Sequence, residues 1–478
     1  MKDASTGKSY IYLTIAKFLS ILAGYAILLF IARMLTPEDF GVYGVIVSIV
    51  SIINMVVITG TVQSVSKFVS QNEEASEYTK RKALKLQIFV AILVTGLYFA
   101  LSSVIALIIN DKSFTPYLRL SSLIVLFYSF YAVFMGYLNG LKQFKKQSLF
   151  DMSYSVIRAG LIIGLTFLTF TVMGSILGFS AASFLILVLA LIFVGFKKVD
   201  KIADVSYKKI IKFMLPAMAF VFVLNLLLNI DLLAVKALSP SDISNTLSGY
   251  YSAALSIARI PYFAIISLTL LIFPFISKAT AANDLKKVQY YVKQSLRFSL
   301  ILLIFLAVII SSNASPILEL LYPSAYSFGS QALSIVVFGL AFLGMILISA
   351  NIITASGKPN ISLYIGIGVV VLDFILNFIL IKNYSLLGAA VATTIAMFLG
   401  FIVTIIFMKK LFKTYLNVKS ILKILILNLI IFFVAINLNF TSFYLIIEFL
   451  ILAIILIAGL FLLKELKISY IRELLKRN

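Results

Sequence analysis

The sequence predicts an all-α integral membrane protein of about fourteen transmembrane helices, arranged as two six-helix lobes and a C-terminal helix pair. Three observations carry this. The 478-residue chain is 62% hydrophobic and only 12% charged, with a mean hydropathy of +1.11, whereas soluble domains hold about 25% charged residues. Apolar stretches of the length that crosses a bilayer, about 20 residues, recur along the whole chain. The 40 Lys and Arg residues crowd into every second gap between these stretches. Backbone groups in lipid must be paired within their own segment, so helices are the reading for stretches this long. The alternating strands of about ten residues that mark an outer-membrane barrel are missing.

In chain order the spans read 10–34, 42–63, 84–109, 117–138, 149–170, 173–196, 210–237, 249–275, 296–321, 331–355, 360–382, 386–408, 420–437 and 442–463. The first is too long for a signal-peptide core and no small-x-small site follows it, so it is read as retained. Of the 40 cations, 32 fall at the termini and in the even gaps or within a few residues of them, from Lys2 and Lys8 to Arg477. The odd gaps and the span ends that flank them hold only Arg33, Lys112, Lys236 and Lys382, and four cations lie further inside spans: Lys17, Arg119, Arg158 and Arg259. The positive-inside rule then places both termini in the cytoplasm of a cell-membrane protein and requires an even number of spans. The longest cytoplasmic connections, around 68–83 and 197–209, mix acids with bases and read as solvated helix extensions.

Composition also excludes functions. With no Cys, His or Trp, the chain has no thiolate nucleophile, no imidazole base and no ordinary zinc site. No G-x-x-x-x-G-K-[ST] loop is present, which removes nucleotide hydrolysis of the Walker type. The net charge of +22 belongs to one membrane face, where anionic lipids favour it, and not to nucleic acid. No catalytic residues, metal ligands or cofactor are expected beyond a coupling H+ or Na+.

An internal repeat links the halves. Leu35-Thr36-Pro37-Glu38-Asp39-Phe40-Gly41-Val42-Tyr43 follows span one, and Leu238-Ser239-Pro240-Ser241-Asp242, then Gly249-Tyr250-Tyr251, follows span seven. Both contain L-[TS]-P-x-D and then G-x-Y, a turn opened by Pro-x-Asp and a glycine at the start of the next helix. Ser66-Lys67 is echoed by Ser277-Lys278, Gly140-x-Lys142 by Gly357-Lys358, and Gly174-Ser175-Ile176-Leu177 by Gly388-Ala389-Ala390-Val391. The shared order predicts an N-lobe (1–200) and a C-lobe (201–410) related by a pseudo-two-fold along the membrane normal. Residues 411–478 add the helix pair and a cytoplasmic tail. Transporters of parallel-repeat design bind substrate between the halves.

Charges inside the membrane are the candidate site. An Arg at the bilayer centre costs at least about 2.5 kcal/mol, so Arg259 and Arg158, each about 15 Å deep at 1.5 Å per residue, should face a wet cavity or a partner. Lys17, about 10 Å into span one, either snorkels or faces the same cavity. Arg119 reads as an interfacial anchor. Arg33 and Lys236, at equivalent ends of spans one and seven, are outer-mouth cations or snorkelling residues. Among the acids, Asp373 and Asp231 are the candidates for ion coupling, and each is also a candidate structural partner, Asp231 for Arg259 and Asp373 for Arg158. Glu319 lies at a span edge, and Glu448 belongs to the added hairpin. Asn54, Asn225, Asn229 and Asn377 read as interhelical glue.

The run Ala32-Arg33-Met34 through Tyr43 resembles a signature of Wzx-type polysaccharide flippases, members of the multidrug/oligosaccharidyl-lipid/polysaccharide exporter superfamily. Leu215-Pro216, Asp231, Gly249-x-Tyr251-Ser252-x-Ala254, Leu321-Tyr322-Pro323 and Leu387-Gly388-Ala389-Ala390 also fit. The resemblance covers about residues 10–410. It implies two six-helix lobes around a central cavity and alternating access, with a polyprenyl-linked sugar as cargo. Arg259, followed by Pro261, resembles the span-eight cation of lipid II flippases. Those relatives carry more arginines in the first two spans than the Lys17 and Arg33 found here, which argues against lipid II itself as cargo. The implied partners are the lipid-linked oligosaccharide, membrane lipids and glycan-assembly enzymes, with the chain acting as a monomer. The rival readings are a cation-coupled multidrug exporter and, from another class, a membrane-embedded glycan polymerase or glycosyltransferase. A polymerase needs a large outer loop with catalytic groups, which this sequence lacks.

Overall fold

The computed structural model describes residues 2–199, 205–414, 417–438 and 440–465. Lys201 and the terminal Lys467, Arg472, Lys476 and Arg477 lie outside the described residues, as does the middle of the expected 197–209 extension. The helices are α1 Lys2–Met34, α2 Pro37–Gln71, α3 Ser76–Ile108, α4 Thr115–Gly140, α5 Phe144–Thr169, α6 Val172–Phe193, α7 Tyr207–Leu227 and α8 Ile230–Leu238. They continue with α9 Ser244–Ala258, α10 Ile260–Ala281, α11 Leu285–Ser312, α12 Ala314–Leu321, α13 Ser330–Ala355, α14 Pro359–Phe412, α15 Val418–Leu438 and α16 Leu445–Leu462. This is a multi-pass membrane protein. Twelve helical segments among the described residues are long and apolar enough to cross a bilayer.

Two further crossings bring the total among the described residues to fourteen. The 54 residues of α14 would run roughly 80 Å as one rod, against a hydrocarbon core of about 30 Å. Ser385, at φ 51° and ψ −126°, divides it into arms 359–384 and 386–412. Helices α9 and α10 form the other crossing, interrupted at Arg259. Pro261 explains that break, because its ring removes a backbone donor and clashes with the carbonyl four residues earlier.

Helix starts follow local chemistry. The Thr36 hydroxyl accepts the Asp39 N–H at 3.2 Å, Pro37 takes the first helical position, and Glu38 and Asp39 lie against the positive end of α2. Thr171, Ser206 and Asp284 cap α6, α7 and α11 in the same way.

Contacts divide the described chain into two compact units, Met1–Gly249 and Tyr250–Asn478. In the first, α2 packs on α4 and α7, α5 on α6 and α1, and α3 on α4. In the second, α13 packs on α14, α11 and α10, and α15 on α11 and α16.

The motifs read as a repeat have matching structural duties. Within the first unit, a Cβ on Gly41 would overlap the Asn245 carbonyl, and one on Gly249 would overlap the Pro37 carbonyl. The two glycines therefore permit one reciprocal backbone contact between α2 and α9. The second glycine pair closes hairpins. A Cβ on Gly174 would come 2.6 Å from the Leu165 carbonyl oxygen, and one on Gly388 would overlap the Leu380 carbonyl.

Candidate functional site

In the first unit α1 and α5 meet along matched stripes. Lys17, Ser20 and Gly24 lie on one face of α1 at helical spacing, and Asp151, Ser155 and Arg158 on one face of α5. The Lys17 ammonium is within electrostatic range of the Asp151 carboxylate. Ser20 and Ser155 share a hydrogen bond of 2.7 Å. Arg158 Nη2 lies 4.0 Å from where a Cβ of Gly24 would stand, so the glycine leaves room for the guanidinium.

Aromatic rings rather than acids surround Arg158. Its guanidinium lies 5.5 Å from the Tyr154 ring centre and 5.7 Å from that of Phe179, geometry in which ring quadrupoles attract a cation. Tyr154 stacks on Tyr128 at 4.7 Å, and Tyr131 lies 5.2 Å from Tyr128. Tyr43 on α2 also lies in the field of Arg158. Arg158 is half-buried, and its buried Nε has no hydrogen-bond partner among the described residues. The arrangement is a cation with one donor to spare beside tyrosine faces, suited to an anionic group carrying polar, ring-shaped substituents.

Lys17, at one end of this face, is exposed. The other expected residues stand elsewhere. Arg33 occupies the last turn of α1, also exposed, where a cation suits the helix dipole. Arg259 is half-buried at the break between α9 and α10, with Tyr262 in its field. Asp231 is 1% exposed in the first turn of α8, its carboxylate accepting the Leu232 N–H at 2.8 Å. In the second unit Asp373 is fully buried and accepts a 2.8 Å hydrogen bond from Asn377, one turn on in α14.

Two readings made from sequence differ from the structure. Lys236 neither snorkels nor stands at an open mouth. It is 1% exposed, paired with Asp111 at 2.9 Å, hydrogen-bonded to Ser244 at 2.9 Å and set 5.1 Å from the Phe114 ring centre. The supposedly solvated stretch around 68–83 holds a buried pair, Lys80 to Glu77 at 2.8 Å. Lys80 also donates to the Gly195 carbonyl at 2.6 Å and lies 4.3 Å from the Tyr137 ring centre. Beside it, Lys67 sits 3.9 Å from the Phe213 ring centre, tying α2 to α7.

Sequence reasoning missed Asp151 and the tyrosines. Asp151 lies near a span start, where acids are unremarkable. The tyrosine signal was present as Tyr128 and Tyr131 three apart, and Tyr154 and Arg158 four apart, spacings that put both pairs on single helix faces.

Known proteins resemble this chain in sequence and in fold. A family model described as "Polysaccharide biosynthesis protein" matches residues 30–331, well over half of the chain. The capsular polysaccharide biosynthesis protein CapF of Staphylococcus aureus is 27% identical over 85% of this chain and 100% of its own length. The uncharacterized membrane protein MJ1068 of Methanocaldococcus jannaschii is 31% identical over 38% of this chain, and the match spans only 36% of that relative. Among solved structures, the lipid II flippase MurJ in an inward closed conformation superimposes with a TM-score of 0.76 at 18% identity, covering 94% of this chain and 98% of that one. An inward-facing multidrug resistance MATE family transporter of the MOP superfamily gives 0.64 at 15% identity, over 85% of this chain and 99% of that one. The fold is thus shared with these two solved structures, and the chain belongs to the polysaccharide biosynthesis protein family.

Proposed function

We propose that this protein is a flippase that carries a polyprenyl-(pyro)phosphate-linked oligosaccharide from the cytoplasmic to the outer leaflet by alternating access. The observation that carries the reading is the α1–α5 face that holds Lys17 and Arg158, with tyrosines gathered around Arg158, in a member of a polysaccharide biosynthesis family. A lipid pyrophosphate brings about two negative charges, and fixed cations in a low-dielectric site offset their desolvation. Tyrosine rings and hydroxyls suit sugar faces and edges. Arg259 and Arg33 serve the same anionic cargo in this reading. The sorting of cations supports a cell-membrane location with both termini in the cytoplasm.

Coupling to an H+ or Na+ gradient falls to Asp373 and Asp231, both buried carboxylates with amide or backbone donors. A carboxylate held inside a membrane protein is suited to exchange a cation as access alternates. No step of covalent catalysis is required.

The test is glycan export in cells carrying single substitutions. Arg158→Ala and Arg259→Ala should each reduce export of lipid-linked glycan at least tenfold, with folded protein at normal levels in the membrane. Normal export by both variants would sink the anionic-cargo reading. Asp373→Asn should weaken dependence of transport on the ion gradient, and an unchanged dependence would remove it as a coupling site. Export of cationic drugs, with glycan untouched, would instead support the multidrug reading.

A further inference from the structure

The two arms of α14 leave between them an open apolar groove of about 410 Å³, walled by Tyr364, Ile365, Gly368 and Leu372 on one arm and Val403 and Phe407 on the other. That volume lies in the about 300–1,000 Å³ range of ligand sites. Gly368 deepens it, since a Cβ there would meet no atom within 4 Å. From Ile361 to Leu372 the groove runs about 16 Å at 1.5 Å per residue, roughly half of the about 30 Å hydrocarbon core. Beyond Leu372 the exposed side chains of Phe374, Ile375 and Phe378 follow. A partner helix would need a surface running the whole span, whereas this groove is one leaflet long.

Its mouth is basic. Lys410 continues the face 399, 403 and 407 at helical spacing, and Lys358, the N-cap residue of α14, stands at the same end of the groove, where it lines an adjacent polar cleft. Both lysines are exposed. The acid lining the adjacent polar cleft, Asp284, pairs with Lys287 at 3.0 Å. An apolar trough one leaflet deep, ending on two cations, has the chemistry of a single anionic amphiphile.

We propose that this groove binds an anionic glycerophospholipid of the leaflet on the Lys358 side. One acyl chain lies along Gly368, and the phosphate sits between Lys358 and Lys410. The site is separate from the cation–tyrosine face of the first unit and does not depend on which cargo that face takes.

The chain contains no Trp, so Tyr364→Trp installs a single fluorescent reporter in the groove wall. The full-length variant is reconstituted into nanodiscs with increasing dibromo-phosphatidylglycerol or dibromo-phosphatidylcholine as quencher. Phosphatidylglycerol should quench half-maximally at a mole fraction roughly threefold to tenfold lower, reflecting attraction to the two lysines. Adding Lys358→Gln and Lys410→Gln should abolish that preference. Adding Gly368→Leu, which fills open space, should reduce quenching by both lipids while the melting temperature holds. Equal quenching by the two lipids in the Tyr364→Trp protein would reduce the groove to ordinary boundary lipid and overturn the proposal. So would a Gly368→Leu protein that quenches as before. Displacement of the bromolipid by a polyprenyl phosphate at lower mole fraction would also overturn it, by assigning the groove to a cargo tail.

Discussion

Four cations of the first unit form two pairs that share little beyond their charge. Lys80 and Lys236 are 0% and 1% exposed, and each meets a carboxylate at under 3 Å. Lys17 is exposed and Arg158 half-buried, and the guanidinium of Arg158 faces rings. A cation neutralised by a carboxylate has little left to offer a ligand; Lys236 ties α8 to the loop at Asp111, and Lys80, paired within α3, reaches out to the Gly195 carbonyl. A cation held against ring faces keeps donors free for an incoming anion. Burial therefore does not separate a candidate binding residue from a structural one; the partner does.

The largest effect should come from breaking the most buried pair. Removing one member of a buried ion pair costs about 3–5 kcal/mol when the other is left uncompensated, and Arg81, 3.4 Å from Glu77, offsets part of that here. Lys80→Met should therefore lower stability by up to about 3 kcal/mol in thermal melting of the solubilised protein, and adding Glu77→Leu should restore most of the loss. If single and double variants melt together, the pair is not a lock, and the contrast with Arg158 collapses. Arg158→Ala should melt close to the parent protein, because it strands no carboxylate.

Lys236 sharpens the comparison through pH. Partial burial of Asp111 favours its neutral form, but hydrogen bonds from Ser113 and Lys236 more than offset this and hold its carboxyl below the ordinary range. A depressed carboxylate contributes stability that is present above its unfolded pKa, about 3.9. That contribution is lost as pH falls through the folded value. Melting temperature should thus decline below about pH 4. Lys236→Met should be less stable at pH 7 and show a flatter acid limb. An identical acid limb in both proteins would mean that the ion pair contributes nothing.

Hydropathy located the crossings because each must match the bilayer, and Ser385 and Arg259 break helices where the expected spans turn or weaken. The repeat was legible for a related reason: Gly41 with Gly249, and Gly174 with Gly388, mark backbone approaches that admit no side chain. The charges resisted reading because their partners lie far away in sequence. Lys236 finds Asp111 across 125 positions and Lys80 reaches the Gly195 carbonyl across 115. A one-dimensional pattern gives Lys236 and Arg33 the same description, although one is sealed and the other exposed. Arg158 was legible as an intramembrane cation, but its aromatic lining needed α4, α5 and α6 to be brought together.

The smallest expected effect lies in the second unit and tests whether carboxylate contacts always act as locks. Glu448 of α16 is fully buried, and its Oε1 accepts a 2.8 Å hydrogen bond from the amide of Asn313, between α11 and α12. Here the donor is neutral, so a glutamine carbonyl can take the same bond. Glu448→Gln should change stability by less than about 1 kcal/mol, whereas Glu448→Ala, which loses the acceptor, should cost about 1–3 kcal/mol. Thermal melting of the two variants separates these values. A glutamine variant as unstable as the alanine variant would show that the hairpin depends on a charged Glu448. That result would move this contact into the same class as Lys80 and Glu77, and the distinction between charge locks and neutral hydrogen-bonded joints would fail in this protein.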